Sequence, residues 1–242
     1  WRWYYHTNYK VFKWLKYMSV DKIIKIITGK EVKVDQSIPL LYIINRGIYY
    51  FLGLIRGSFK SFNINKRLFI GKKTTIRCKK QLILGHNVNI GDYVAIDALS
   101  SKGVILGDNV KIGNHSIIGA SGSISTLGKG MKIGKNSSFG DYTLFGAAGG
   151  LSIGENVISG PFVRFHAENH NFDRTDIFIR EQGINWQGIE IGNDCWIGAG
   201  SVFLDGSAVG DGCVVAANSV VTKKFPNNVV IAGVPAKIIR KR

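Results

Sequence analysis

His166 and His170 stand four residues apart at the head of a polar stretch that runs to Gly188, with Glu168 and Asp173 beside them and Trp186 near its end. Neutral imidazole, with an ordinary pKa near 6.5, is the side chain best suited to taking a proton near neutral pH and returning it. Such a base needs a partner on its second ring nitrogen. Glu168, Asp173 or a backbone carbonyl would each serve, and the spacing does not choose among them. A zinc site needs three or four ligands, and these two histidines supply two at most; His6, His86 and His115 lie far off in the chain, so no metal is expected. The three cysteines, Cys78, Cys195 and Cys213, form no CxxC pair. They point to reduced thiols in a cytoplasmic setting.

The element that must position these residues is a repeat. From Leu84 an aliphatic–Gly signature recurs every six residues: Ile90-Gly91, Leu106-Gly107, Ile112-Gly113, Ile118-Gly119, Ile133-Gly134, Phe139-Gly140, Phe145-Gly146, Ile153-Gly154, Ile191-Gly192, Ile197-Gly198, Val209-Gly210. Hexads fall in threes, so one coil takes 18 residues, and six coils start at 84, 106, 133, 153, 191 and 209. Each hexad reads as a short strand plus a corner, and three make a triangular turn of a parallel β-helix. The first position points inward and is aliphatic. The second is a corner, where glycine tolerates unusual dihedrals and close backbone approach. The fifth, Val, Ser, Thr or Cys, also points inward. Cys195 and Cys213, 18 residues apart, are then stacked core residues. The fold class is an all-β solenoid of about six coils, preceded by an N-terminal helical segment.

A solenoid places its function where its period breaks, because insertions become loops on one face. A small insertion falls around Leu127–Met131, and the interval from 153 to 191 is 38 residues, one coil plus 20. The excess is the protruding loop 167–188, and its histidines make it the place to look for a site.

Charge divides the chain. Residues 1–80 carry 18 of the 32 Lys+Arg and 3 of the 16 acidic residues, a net of +15. Residues 81–242 are almost neutral at +1. The expected organisation is a basic, amphipathic helical segment over 1–80, then the β-helix over 81–242 with a tail at 224–242. The segment Tyr9–Met18 mixes aromatics with lysines at helical spacing, as interfacial helices do on an anionic leaflet. The apolar run Ile38–Ile55 is interrupted by Asn45, Arg46 and Gly47, which argues against a membrane span. Peripheral membrane association is one reading of the head; packing on the body or on a neighbouring subunit is the other. No groove-reading motif is present, so nucleic acid is not an expected partner. No signal-peptide pattern is visible at the start.

The hexads resemble the hexapeptide-repeat acyltransferases, whose prism winds left-handedly. Glu168-Asn-His170-Asn-Phe-Asp, the loop, Ile189–Ala199, Val214–Lys223 and Ala232–Arg240 are similar to the xenobiotic, maltose and galactoside O-acetyltransferase branch. In layout the chain looks like the capsule, colanic-acid and O-antigen O-acetyltransferases. The resemblance implies acetyl-CoA as co-substrate, a carbohydrate acceptor and a homotrimer. It implies His170 as general base, with His166 the alternative, and an oxyanion donor near Gly198-Ala199. It places Trp196, Ala199, Ala217, Thr222 and Lys223 along the pantetheine arm, and Lys237 and Arg240 near the 3′-phosphate. His166 and Trp186 are expected at the acceptor. The family has arginine where Lys237 stands, which makes that contact less bidentate here. Location at the inner face of the cytoplasmic membrane, where lipid-linked glycans are assembled, follows as an expectation. Two other classes remain: N-acetylation of a nucleotide-linked amino sugar, and a structural or membrane-adaptor β-helix.

Overall fold

The structure, a computed structural model, describes residue 35 and residues 37–61, 66–123 and 125–242. The segment 9–18 therefore lies outside the described residues. The chain divides into two units, 1–55 and 56–242. In the first unit the described element is most of the helix Leu40–Ser61 (α1), which has no acidic residue in its first turn. The second unit holds the remainder of that helix and the solenoid.

The solenoid is a left-handed parallel β-helix with three faces. The first sheet has nine strands, from Phe69–Ile70 through Trp196–Ile197 to Val229–Ala232 and Lys237–Lys241. The second has seven, from Thr75–Arg77 through Arg164–His166 and Val202–Leu204 to Val220–Val221. The third also has seven, from Leu82–Leu84 through Ile189–Ile191 to Lys224–Phe225. Successive coils pair in parallel and in register, as in Leu144↔Arg164↔Val202 on the second face. Only the last strand of the first sheet reverses, pairing antiparallel with Val229–Ala232.

The hexad explains the core position by position. The first-position residues from Leu84 to Val221 are buried, except half-buried Ser159. Fifth-position residues such as Val88, Ser116, Thr143, Cys195, Ser201 and Cys213 are buried beside them. Ser137 and Ser201 keep their hydroxyls satisfied inside by donating to the carbonyls of Gly154 and Gly198 at 2.9 and 2.8 Å. On the second face, Phe145, Phe165 and Phe203 stack inside at centroid distances of 5.6 and 5.0 Å.

The corner glycines work by one of the two devices expected of them. None of the second-position glycines has a positive φ. All but Gly119 are needed because the next coil's backbone passes too close: a Cβ on Gly113 would stand 2.4 Å from the carbonyl carbon of Gly140. The left-handed conformation falls instead two residues later, at Asn87, Tyr93, Asn109, His115, Asn136, Tyr142, Asn156 and Phe162, with φ between 54 and 61°. Asparagine tolerates this region best among non-glycine residues. Its amides also stack into a ladder, Asn87 donating to Asn109, Asn109 to Asn136 and Asn136 to Asn156 at 3.3, 2.9 and 3.2 Å. At the next corner, rings stack from coil to coil instead. Tyr93, His115, Tyr142 and Phe162 lie 4.9 to 5.0 Å apart and within 6° of parallel.

The boundary at residue 80 moves. Leu68, Phe69 and Ile70 are buried, and Phe69–Ile70 and Thr75–Arg77 pair with Asn89–Ile90 and Ala95–Asp97, so the prism begins one coil earlier. The hexad is there, Ile70-Gly71 with Thr74 inward, but Lys72, Lys73, Arg77, Lys79 and Lys80 occupy the outward positions. That density of charge gives a coil the composition of the basic head.

Candidate active site

The excursion leaves the prism at the corner after Arg164–His166 and returns at Ile189–Ile191. Ala167 is still buried, its N–H donating to the Gly146 carbonyl at 3.0 Å. Beyond it Asn169–His170 pairs antiparallel with Ile184–Asn185, so the loop stands on a short two-stranded ribbon with His170 opposite Ile184. The far end folds on itself. The Asn171 amide donates to the Gln182 carbonyl at 2.9 Å, Gln182 Nε2 donates to the Arg174 carbonyl at 2.7 Å, and Arg174 pairs with Asp176. That pairing holds the Asp176 carboxyl below the usual carboxylate range.

Three contacts tie the loop's root. The Trp186 indole N–H donates to Glu168 Oε2 at 2.8 Å, bridging the two strands' ends. Lys129 Nζ donates to the Trp186 carbonyl at 3.3 Å. Asp205, buried at 7% exposure, accepts the Gln187 and Gly188 N–H groups at 2.8 and 2.7 Å. A carboxylate that accepts two backbone donors holds them more strongly than a neutral acceptor would. Asp205 and Lys129 were not among the residues singled out from the sequence. Asp205 had a legible signal: its hexad position is a buried alanine on four earlier coils, Ala98, Ala120, Ala147 and Ala167.

The site residues fall into three places. His166, His170 and Trp186 are together at the corner between the second and third faces. His166 is exposed and sits in register between Gly146 and Leu204, with Gly119 one coil beyond Gly146 on the same row. Of the carboxylates offered for orienting His170, Glu168 is engaged by Trp186, and Asp173 is exposed in the loop. Thr222 and Lys223 lie along this same corner, above Leu204, with Lys223 Nζ 5.6 Å from the Phe225 ring centroid. Trp196, 56% exposed, projects from the first face, and Ala199 and Ala217 stack at the corner where the first face meets the second. Lys237 and Arg240 are exposed on the terminal strand at the top of the first face, opposite Ala232 and Val230. Arg242 pins that strand, donating to Asp194 Oδ2 at 2.9 Å and to the Gly212 carbonyl at 3.1 Å. A ligand touching all three groups would have to span the second face.

Cys195 and Cys213 stack in the core, their thiols donating to the carbonyls of Gly210 and Pro226 at 3.2 and 3.1 Å. Burial pushes the Cys195 thiol up to about 11. It is an inert packing group. Among the described residues, no group of three or more His, Cys, Asp or Glu is placed to hold a metal ion. Among them, too, no helix is long and apolar enough to cross a membrane.

Two family profiles match the prism: bacterial transferase hexapeptide (six repeats) over residues 188–223, and hexapeptide repeat of succinyl-transferase over residues 81–120. Over these two stretches the chain is similar to the hexapeptide-repeat transferases. Among curated proteins, galactoside O-acetyltransferase of Escherichia coli (strain K12) is 39% identical over 92 residues, 38% of this chain and 44% of that protein. A candidate lipopolysaccharide biosynthesis O-acetyl transferase of the same strain, WbbJ, is 53% identical over 53 residues, 22% of this chain and 27% of that one. The chain thus spans less than half the length of these curated relatives. Among solved structures, a point mutant of AntD, an N-acyltransferase from Bacillus cereus, in complex with dTDP and coenzyme A, aligns with a TM-score of 0.54 at 21% identity. That alignment covers 71% of this chain and 85% of AntD, and is a likeness of fold.

Proposed function

We propose that the protein transfers an acetyl group from acetyl-CoA to a sugar hydroxyl, with His170 as general base. The observation that carries this reading is the single large break in the repeat, which puts His166 at the end of a prism strand, His170 on the ribbon that follows it and Trp186 just past the ribbon's return strand. The O-acetyltransferase names of the two Escherichia coli relatives support the chemistry, and WbbJ supports a surface polysaccharide, or its lipid-linked precursor, as acceptor.

A sugar hydroxyl is a poor nucleophile at neutral pH. His170 accepts its proton as the hydroxyl oxygen attacks the thioester carbonyl, and the carbon–sulfur bond then breaks. The imidazolium returns that proton to the departing coenzyme A thiolate, so the base is restored in each turnover. Its contribution is about 10²–10⁴-fold. The oxyanion needs a donor. The Gly198 N–H already donates to the Val215 carbonyl at 2.7 Å, so Ala199 is the better supplier of the expected pair. Coenzyme A runs past Trp196, Ala199 and Ala217, or past Thr222 and Lys223, with its 3′-phosphate against Lys237 and Arg240. Because these groups lie on different edges of one prism, a homotrimer would complete each groove with a neighbour's edge.

Acetyl transfer from acetyl-CoA to purified glycans, measured with wild type and His170→Ala, tests the reading. The variant is expected to lose turnover while binding acetyl-CoA and keeping its oligomeric state. Unchanged turnover would remove His170 from the chemistry. Transfer to an amino group of a nucleotide sugar, with none to hydroxyls, would replace the O-acetyl reading by the N-acetyl one.

A further inference from the structure

Helix α1 is inside out for a helix in water. Leu40, Leu41, Ile44, Ile48, Phe51, Leu52 and Ile55 are all exposed, and at helical spacing they form one stripe roughly 120° wide. Leu41 is 68% and Phe51 60% exposed. The opposite side carries the small and covered residues: Gly53 is buried, and Ile43, Gly47 and Leu54 are half-buried. A contiguous apolar face of this kind marks a surface that meets another phase or partner.

Charge selects the occupant. Residues 1–80 hold a net charge of +15, and α1 contains Arg46, Arg56 and Lys60 but no Asp or Glu. Arg46 lies across the helix from the stripe, over the rings of Tyr49 and Tyr50 at 5.5 and 5.4 Å. Two copies meeting through this face would bring two such basic segments together, which electrostatics opposes. An anionic surface is drawn to them, and three cations within one helix suit a helix lying along an interface rather than across it.

We propose that α1 docks the protein on an anionic lipid bilayer, lying in the plane of the membrane with the stripe Leu40–Ile55 among the acyl chains. Arg56 donates to the Ile70 carbonyl at 2.9 Å, so the basic charge of the wider segment 1–80, net +15, is what the anionic headgroups attract. This inference stands apart from the acetyl-transfer reading, since it uses none of the site residues.

Co-sedimentation of the full chain with vesicles tests it, using phosphatidylcholine–phosphatidylglycerol 1:1 against phosphatidylcholine alone, for wild type and for Ile44→Ser/Ile48→Ser/Phe51→Ser. Wild type is expected to partition onto the anionic vesicles and to show slowed amide exchange over residues 40–55. The triple variant is expected to partition about tenfold less or weaker still, with the thermal unfolding of the prism unchanged, because the replaced side chains are exposed. Equal partition of wild type and variant would overturn the proposal, as would wild type that ignores both vesicles. A change of oligomeric state in the variant without lipid would also overturn it, by making the stripe an interface between copies.

Discussion

In the prism, a residue's place in the hexad dictates its type; in the excursion at 167–188, no such rule operates. The prism repeats one small solution: an inward aliphatic, a glycine under the next coil's backbone, a left-handed asparagine or aromatic, and a small inward residue. Each coil is held by backbone ladders to both neighbours, so no single side chain carries the structure. The excursion has one two-residue ribbon and hangs from a few side-chain contacts, chiefly Asp205 under Gln187 and Gly188 and Glu168 under Trp186. Redundancy in one region frees the other to carry chemistry, because a loop with few contacts can place histidines without disturbing the core. The difference also locates vulnerability: stability belongs to the prism, geometry of the site to a handful of polar atoms.

The largest stability effect should come from the prism interior. Phe165→Ala removes the middle ring of the stack between Phe145 and Phe203. It should cost about 3–5 kcal/mol in urea unfolding. A loss below about 1 kcal/mol would mean that the coils relax around the gap and that the contrast with the loop is overdrawn.

Next in size, Asp205→Ala deprives two loop amides of their acceptor and should cost about 1–3 kcal/mol. The effect should be local: amide exchange should rise across 167–188, and acetyl transfer should fall while the first-face strands stay protected. Uniform exchange across the prism would make Asp205 a core residue instead.

A smaller loss is expected at the asparagine ladder. Asn136→Ala leaves at φ 59° a residue that tolerates the left-handed region less well than asparagine and breaks two amide links, for about 1–2 kcal/mol. Asn136→Gly should recover part of this, since glycine accepts the left-handed conformation. Equal losses for the two variants would assign the whole effect to the amide ladder.

The smallest effect concerns Cys195. Its thiol is raised to about 11 in the folded protein, above the value of an exposed thiol, so the native state holds its proton longer than the unfolded chain. The stability this contributes is complete below the unfolded value and is lost as pH climbs through about 9 to 11. Comparing wild type with Cys195→Ser over that range should show the wild type declining more steeply. At neutral pH, iodoacetamide should label exposed Cys78 and leave Cys195 and Cys213 untouched while the protein is folded.

Much of this was legible without coordinates, because a hexad is a local rule. The inward residues, the coil length, the stacked cysteines and the break after Phe165 all follow from counting. The first coil was hidden by its lysines, which are outward and say nothing about the inward Ile70 and Thr74. Asp205 was hidden in plain register, a carboxylate where four coils have alanine, because a repeat declares itself by its matches and not by its exceptions.

By itself, then, the sequence determined a triangular solenoid with one large loop and placed two histidines at that loop's root, since periodicity and interruption are properties of a one-dimensional string. Only the tertiary structure decided that the corner glycines answer to close approach rather than to dihedral freedom. It also revealed that Glu168 is taken by Trp186 and that Asp205 anchors the loop's return. Those depend on how closely one coil's backbone passes over the next, and on which of several nearby polar groups reaches a donor first. Packing in three dimensions sets both.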